Sequence, residues 1–406
     1  MKKLIFCFCF FIQSLIFTNA LFAQEKVLFK FNHQKDDASS YVSIVEEDVF
    51  YNGYLSHHSQ IVNRISSIIH DVDKDGTAQV TANYMTTEDS VSNFSKTALS
   101  WGTENTSNFK RKSDGELIIS DSLFMPTVRN VPLFPKYEVG IGETWTAKGK
   151  EVHDMRSYFN MTEPLTIPFE AKYKYVGNTN INNKNLCVID VDYEFFFQNT
   201  KDKIAKGSLF LATAGYSKQR LYWDQENGIL NHYTEEFRIK MSDVYNNLVE
   251  FRGVSKAEIT QAKFSNSKKN VEKLQKTVEN LKLKDVNIKE GSKGLTISIE
   301  NIQFEPDSAV LLDSEKKKLD LIATLLQDFS NDILITGHCA ERGSESARQV
   351  LSEQRAESVA SYLKQLGVRD AYHIFSQGKG STEPIASNAT EEGRQKNRRV
   401  EIIVLN

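Results

Sequence analysis

One basic residue interrupts an apolar ridge in a predicted helix of the last third of the chain. The row of residues spaced four apart in this helix contains Leu351, Arg355, Val359 and Leu363. Such a row normally faces a core. An arginine within it must keep its guanidinium in water, pair with a carboxylate inside the protein, or hold the carboxylate of a ligand in its planar fork. Arg355 is therefore a candidate ligand-binding residue.

A short strand and a loop precede this helix. Ile333 and Ile335 alternate with their neighbours, which is the period of a strand, and this strand is predicted to end at Gly337. Ser344 is suited to cap the helix that follows. Residues 337–343, with the sequence GHCAERG, therefore join a strand to the helix that carries Arg355. If Arg355 holds a ligand, this loop is part of the site.

With these residues, the last third of the chain resembles the OmpA-like peptidoglycan-binding domain family. The resemblance covers about residues 290–406 and depends on several motifs in the family's order. They are FEPDS at 304–308, Gly337-His338 with Gly343, Leu351-Ser352 with Arg355-Ala356, Gly378-Lys379-Gly380 with Pro384, and NRRVEI at 397–402. It implies an α+β sandwich of βαβαββ order, in which helices cover one face of a four-stranded sheet, as the strand and helix patterns also indicate.

The resemblance also implies a binding site for the stem peptide of peptidoglycan. Arg355 would grip the carboxylate of the diamino acid. Other matching positions are Gly337, His338, Asp307, Asn397 and Arg398. Two positions depart from the family: Ala340 stands where the loop aspartate is expected, and Arg348 replaces an asparagine. Loss of a charged hydrogen bond, about 1.5–3 kcal/mol, would weaken binding by one to two decades.

Three explanations of Ala340 stay open. Glu341, the next residue, could replace the missing carboxylate. The wall could carry a different diamino acid, and a Gly-His-x-Ala loop is similar to that of spirochaete members of the family. Finally, the domain could have lost wall binding and serve as a protein-interaction module, because a fold alone does not establish a function.

Upstream, residues 24–258 are predicted to form an all-β domain, an antiparallel meander curved into an open sheet or a partial barrel. Two-residue hairpin turns are indicated at Asn52-Gly53, Asp75-Gly76, Asp114-Gly115 and Asn227-Gly228. The acidic segment 71–76 imitates a calcium loop, but Ala82 occupies the position of the bidentate glutamate, which favours a hairpin turn. The aromatic residues of 193–197 are interpreted as sheet core rather than as a lipid or glycan cavity.

The remaining segments complete the predicted organisation. Residues 1–23 are typical of a secretory signal peptide, with cleavage after Ala23 or Ala20. Cys7 and Cys9 would leave with it, while Cys187 and Cys339 lie in different domains and are not expected to pair. Residues 259–285 are predicted to be a polar linker with an amphipathic helix, and residues 286–406 the OmpA-like domain.

Composition and motifs argue against several other classes of function. The net charge of −3 gives no basic field for nucleic acid. His338 lacks a neighbouring ligand at metal spacing and is interpreted as a strand-end histidine bonded to the backbone. We find no nucleophile and base pair and expect no cofactor, metal or catalytic activity. The sequence predicts a secreted periplasmic envelope protein that binds the wall through Arg355, with the outer membrane and other envelope proteins as candidate partners. The alternative is an envelope interaction module without wall binding.

Overall fold

The computed structural model describes residues 26–406, except 91–98, 160, 263–271, 273–274, 277, 279–284, 301, 306–307 and 328. The predicted signal peptide, most of the linker helix and Asp307 therefore lie outside the described residues. Two β-sheets organise the described part of the chain. No helix of this part is long and apolar enough to cross a membrane.

 Strands make up 52% of the described residues, which confirms the predicted β-rich fold class.

The first sheet contains twelve strands, and all of its ladders are antiparallel. Its strands are β1 Ala38–Tyr51, β2 Tyr54–Val72, β3 Ala78–Ser90, β5 Thr103–Arg111, β6 Leu117–Ile118, β7 Val128–Arg129, β8 Thr144–His153, β9 Leu165–Ile181, β10 Lys184–Gln198, β11 Phe210–Asp224, β12 Ile229–Asp243 and β13 Leu248–Ala262; β4, Leu99–Ser100, belongs elsewhere. Two short helices, α1 Arg156–Phe159 and α2 Lys201–Ala205, lie between strands. The spatial order is β6-β5-β3-β2-β1-β13-β12-β11-β10-β9-β8-β7.

The two edge strands of this sheet, β6 and β7, are consecutive in the chain, so the sheet is nearly closed. Residues 119–127 connect them. Arg129 on β7 is fully buried and donates hydrogen bonds to the carbonyl oxygens of Pro126 at 3.2 Å and Ser120 at 3.1 Å. This arginine therefore holds the connection against the edge of the sheet.

Each predicted hairpin turn lies between two neighbouring antiparallel strands, but only the first has two residues. Asn52 and Gly53 have φ angles of 51° and 86°, as a primed turn between β1 and β2 requires. The acidic segment 71–76 belongs to a longer turn between β2 and β3, where the Asp73 amide donates to Thr77 O at 2.8 Å. The turns at Asp114-Gly115 and Asn227-Gly228 are also longer than two residues.

The second sheet has six strands, two more than the four predicted. The elements are β14 Val286–Gly291, β15 Gly294–Glu300, α3 Asp313–Leu326, β16 Ile333–His338, α4 Glu345–Gln365, β17 Ile374–Gly378, α5 Glu391–Asn397 and β18 Arg399–Leu405. The spatial order is β14-β15-β18-β16-β17-β4. The additional strands are β14, which precedes the predicted set, and β4, which comes from the chain between β3 and β5. Pattern reasoning missed β4 because it is only two residues long and pairs with a strand far along the chain.

The two faces of the second sheet have different partners, because successive side chains of a strand point to opposite faces. Ile333 and Ile335 of β16 face α3 and α4, in a core that also contains Val278 of the predicted linker. On the other face, Leu334 and Phe375 pack in a cluster with Val42 of β1 and further residues of the first sheet. The second sheet is thus covered by helices on one side and by the first sheet on the other.

A buried ion pair crosses this contact between the sheets. Arg64 Nε of β2 lies 2.7 Å from Asp332 Oδ2, and both side chains are almost fully excluded from solvent. His373 Nδ1 lies 2.8 Å from the other carboxylate oxygen, and Arg64 Nη2 donates to the carbonyl oxygen of Asn406 at 2.5 Å. Burial opposes ionisation of His373, but its hydrogen bond to Asp332 and the negative charges of Asp332 and Asp370 together raise the pKa of His373.

The division of the chain at residues 258 and 286 remains a proposal. Strand β13 continues past residue 258 to Ala262, and β4 of the upstream region is an edge strand of the downstream sheet.

The two cysteines outside the predicted signal peptide, Cys187 and Cys339, are both free and buried.

Candidate binding site

The loop after β16 is held by its neighbour β17. The amide of Cys339 donates to Gly380 O at 2.7 Å, and the amide of Lys379 donates to Gly337 O at 2.9 Å. Ala340 is buried, with 7% of its surface exposed, whereas Glu341 is exposed. The methyl group of Ala340 therefore faces away from solvent, whereas the side chain of Glu341 extends into solvent.

Helix α4 places Arg355 beside a second loop. Ser344 caps this helix as predicted, since its side chain accepts a hydrogen bond from the Ala347 amide. Arg355 is half-buried at the end of the ridge formed by Val359 and Leu363. Its guanidinium lies 4.8 Å from the ring centroid of Phe304, and its Nε is 3.4 Å from Ser308 O. The ridge thus ends in a cation that is supported by the loop containing the FEPDS motif.

A second arginine lies on the same side of the loop. Arg348 Nη1 donates to Gly343 O at 2.5 Å, while its buried Nε has no hydrogen-bond partner among the described residues. Arg348 is also a neighbour of Cys339, whose Sγ lies 3.6 Å from Arg348 O. Burial raises the pKa of the Cys339 thiol, and the charges of Arg355 and Arg348 oppose that rise. The site therefore has two arginines around a loop that lacks its aspartate. Sequence reasoning treated Arg348 only as a departure from the family.

Asn397 supports the loop through a second asparagine. Its Oδ1 accepts from the amides of Ile385 at 2.8 Å and Ala386 at 3.0 Å. Its Nδ2 donates to Ala386 O at 2.9 Å and to Asn388 Oδ1 at 2.8 Å, and that oxygen also accepts from the Glu341 amide at 3.2 Å. All four hydrogen-bonding positions of Asn397 are occupied within the protein. Asn388, which no sequence signal indicated, links it to the binding loop.

The other predicted site residues have other neighbours or lie outside the described residues. Arg398 follows α5 and donates to Glu391 at 2.8 Å. Gly337 allows close packing, because a Cβ atom there would lie 2.2 Å from Ser352 O of α4. Asp307 is outside the described residues.

His338 points to the face of the sheet opposite Ile333 and Ile335, by the alternation of β16. Neither of its ring nitrogens has a hydrogen-bond partner among the described residues, so the expected bond to the backbone is wrong.

The Nε2 atom of His338 lies 3.8 Å from Glu401 Oε2. Burial lowers the pKa of His338. Burial alone would raise the pKa of Glu401, but the neighbouring His338 and Arg399 hold it at about 2. His338, Arg399 and Glu401 thus form a buried cluster of titratable side chains.

The fold and the site together define an α/β domain, with Arg355 and Arg348 near the loop after β16, joined to a curved β-sheet. The described residues contain no cluster of three or more potential metal ligands. Residues 303–398 match the OmpA family model, and the chain belongs to the OmpA family through this C-terminal part.

Two related proteins and one solved structure illustrate the extent of the similarity. The peptidoglycan-binding protein ArfA of Mycobacterium tuberculosis is 45% identical over 104 residues, which are 25% of this chain and 32% of that protein. The outer-membrane lipoprotein YfiB of Pseudomonas aeruginosa is 35% identical over 121 residues, 28% of this chain and 71% of that protein. The structure of an outer membrane protein from Borrelia burgdorferi B31 has 39% identity, covers 30% of this chain and 97% of that chain, and gives a TM-score of 0.25. The chain thus spans about a third of the length of its mycobacterial relative.

Proposed function

We propose that this is a non-enzymatic envelope protein whose C-terminal domain binds peptidoglycan non-covalently and anchors the chain to the wall. The observation that carries the proposal is the position of Arg355, which the ring of Phe304 and the carbonyl of Ser308 support beside the binding loop. A guanidinium presented in this way can donate hydrogen bonds to both oxygens of a carboxylate. The names of the relatives, a peptidoglycan-binding protein and an outer-membrane lipoprotein, support a place in the periplasm at the outer membrane.

The ligand of Arg355 in this proposal is the free carboxylate of the stem peptide's diamino acid. Arg348 adds a second positive charge near Cys339, so the recognition of carboxylates is favoured. The recognition of an amine is weakened, because Ala340 offers no acceptor. Binding is therefore expected to depend more strongly on the carboxylate than on the amine of the diamino acid.

Replacement of Arg355 tests the proposal directly. Arg355→Leu should weaken binding to purified peptidoglycan by about ten- to a hundredfold, because it removes a charge-assisted hydrogen bond of about 1.5–3 kcal/mol. Binding is measured by co-sedimentation of the protein comprising residues 26–406, since the two sheets share a buried contact. Lys364→Leu, which removes one positive charge from the same helix, is the matched control and should bind like the wild type. Undiminished binding by Arg355→Leu would show that Arg355 does not hold the wall.

A second variant tests the missing aspartate. Ala340→Asp should tighten binding to a diaminopimelate-containing fragment by about ten- to a hundredfold, the effect of one charge-assisted hydrogen bond. Ala340 is buried in the loop and Glu341 is exposed, so Glu341→Gln is expected to have little effect. Calorimetric titration of the wild type and both variants, with a lysine-containing fragment as a second ligand, measures these affinities. A strong loss in Glu341→Gln would instead assign the aspartate's role to Glu341.

The alternative function is an envelope interaction module that has lost wall binding. The two departures from the family, Ala340 and Arg348, are the observations that favour it. The absence of measurable binding by the wild type and by Ala340→Asp to either fragment would support this alternative over the wall anchor.

A further inference from the structure

The concave side of the twelve-stranded sheet encloses a cavity of about 550 Å³. On one side lies an aromatic core formed mainly by β8–β12, and on the other a smaller cluster formed by β3 and β5. Most of the cavity wall is apolar, with contributions from Ile65, Val80, Leu117, Met125, Leu221 and Ile259. Its volume is in the range of sites that hold small organic ligands.

One cationic side chain projects into this apolar space. Ser107, Phe109 and Arg111 alternate along β5, and the two preceding Arg111 are buried, so Arg111 also points inward. Its guanidinium carbon lies 5.1 Å from the ring centroid of Phe31 and 5.6 Å from that of Phe109. Among the described residues, no hydrogen bond or ion pair to this guanidinium is formed. Arg111 is half-buried, and burial lowers the pKa of its guanidinium. A partly desolvated charge is stabilised by a partner of opposite charge.

The acidic residues around the cavity are directed to other partners. Asp224 accepts hydrogen bonds from the amide and the side chain of Asn227, at 3.0 Å and 2.8 Å. Glu235 accepts from Ser217 at 2.6 Å and from Gln219 at 3.1 Å. The third, Asp37, also has an interaction of its own. The positive charge of Arg111 is therefore available to a ligand.

A hydrogen-bond acceptor lies in the same corner. His33 stacks on Phe31 with 5.7 Å between ring centroids, and its Nδ1 lies 3.0 Å from Gly76 O. Because a carbonyl oxygen can only accept, Nδ1 carries the proton in the neutral ring and Nε2 is an acceptor. Nε2 is buried and has no partner among the described residues. Arg111 and His33 thus offer a cationic donor and an acceptor at one end of an apolar space.

We propose that this cavity binds an acidic amphiphile, with a carboxylate or phosphate monoester head group on Arg111 and an apolar chain along the wall of β2, β3 and β11. The anionic oxygens of such a head group satisfy the guanidinium. The monoanion of a phosphate monoester also has a hydroxyl that can donate to His33 Nε2, whereas a carboxylate can only accept. The chain removes the apolar wall from water, which favours binding in proportion to the area covered.

The test measures binding of three single-chain lipids to the protein comprising residues 26–406 by calorimetric titration below their micellar concentrations. Oleate carries a carboxylate, oleoyl lysophosphatidate a phosphate monoester, and monoolein has the same chain without charge. We expect saturable binding of at least one anionic lipid at one molecule per protein, at least tenfold tighter than monoolein. The tighter of the two anionic lipids distinguishes a fatty acid from a phospholipid as the source of the head group.

Two cavity variants separate charge recognition from filling of the space. Arg111→Met should weaken binding of the anionic lipids at least tenfold and leave monoolein unchanged, with a melting temperature no lower than that of the wild type because an unpaired buried charge is removed. Ala257→Leu, which keeps Arg111 and adds volume to the wall, should weaken all three lipids. Arg220→Met, in an exposed ion pair with Asp190, is the control and should bind like the wild type. The proposal is overturned if no lipid binds saturably, if monoolein binds as tightly as the anionic lipids, or if Arg111→Met binds them undiminished.

Discussion

Arg64→Met is expected to lower the free energy of unfolding by about 3–5 kcal/mol, the cost of breaking a buried ion pair from one side. The substitution leaves the Asp332 carboxylate, which is fully excluded from solvent, with His373 as its remaining ion-pair partner among the described residues. It also removes the donor to the carbonyl oxygen of Asn406 at the chain end. Urea denaturation of the protein, followed by far-ultraviolet circular dichroism, measures the change.

Arg220→Met provides the matched control for this prediction. Arg220 Nε lies 2.7 Å from Asp190 Oδ1, the same distance as in the buried pair, but 48% of the arginine side chain is exposed. An exposed pair contributes at most about 1 kcal/mol. Adding Asp332→Asn to Arg64→Met should recover part of the loss, because the stranded charge is removed. Equal losses in Arg64→Met and Arg220→Met would contradict the importance of the buried pair.

Gly337→Ala is expected to cost about 3 kcal/mol, at the upper end of ordinary overpacking, because the added Cβ meets backbone atoms rather than a flexible side chain. It would lie 2.2 Å from Ser352 O and 3.1 Å from the carbonyl carbon of the same residue. Helix α4 would have to move away from β16, and Arg355 would move with it. We therefore expect reduced stability in urea denaturation together with weaker co-sedimentation with peptidoglycan.

The control for this steric prediction is Gly140→Ala. The nearest atom to a Cβ at Gly140 is Glu143 Cδ at 3.4 Å, which is an ordinary contact. Neither glycine has a positive φ angle, so backbone strain does not distinguish them. Gly140→Ala should change stability by less than about 1 kcal/mol. If Gly337→Ala were equally mild, the close approach of α4 to β16 would not be required for the fold.

Features encoded by neighbouring residues were predictable from the sequence. The turn at Asn52-Gly53 and the cap at Ser344 each depend on a few adjacent residues, and the structure contains both. The position of Arg355 followed from the spacing of one helix. His338 could also have been placed better, because alternation from Ile333 directs it to the opposite face of the sheet.

Features formed between distant segments were not predictable. Arg64 and Asp332 are separated by 268 positions, and neither lies in a motif. The role of Asn397 depends on Asn388, which acts only through the fold of the intervening loop. The cavity beside Arg111 exists only because the sheet is curved. On an isolated strand, the same arginine could equally face solvent. These contacts are set by tertiary structure, which a single sequence reveals only through local patterns.

Strand β4 also affects how the protein avoids self-association. Without it, β17 would be the outer strand of its sheet, and its unpaired backbone groups could recruit a strand from another molecule. Within the described residues, which resume at Leu99 after a gap at 91–98, Leu99 and Ser100 form the ladder with β17. The Trp101 amide extends it with a hydrogen bond to Ser376 O at 2.8 Å. The Trp101 ring then covers Phe375, with 5.5 Å between ring centroids. Strand β4 thereby covers the edge of the second sheet. A fragment of the protein that lacks β4 is expected to aggregate.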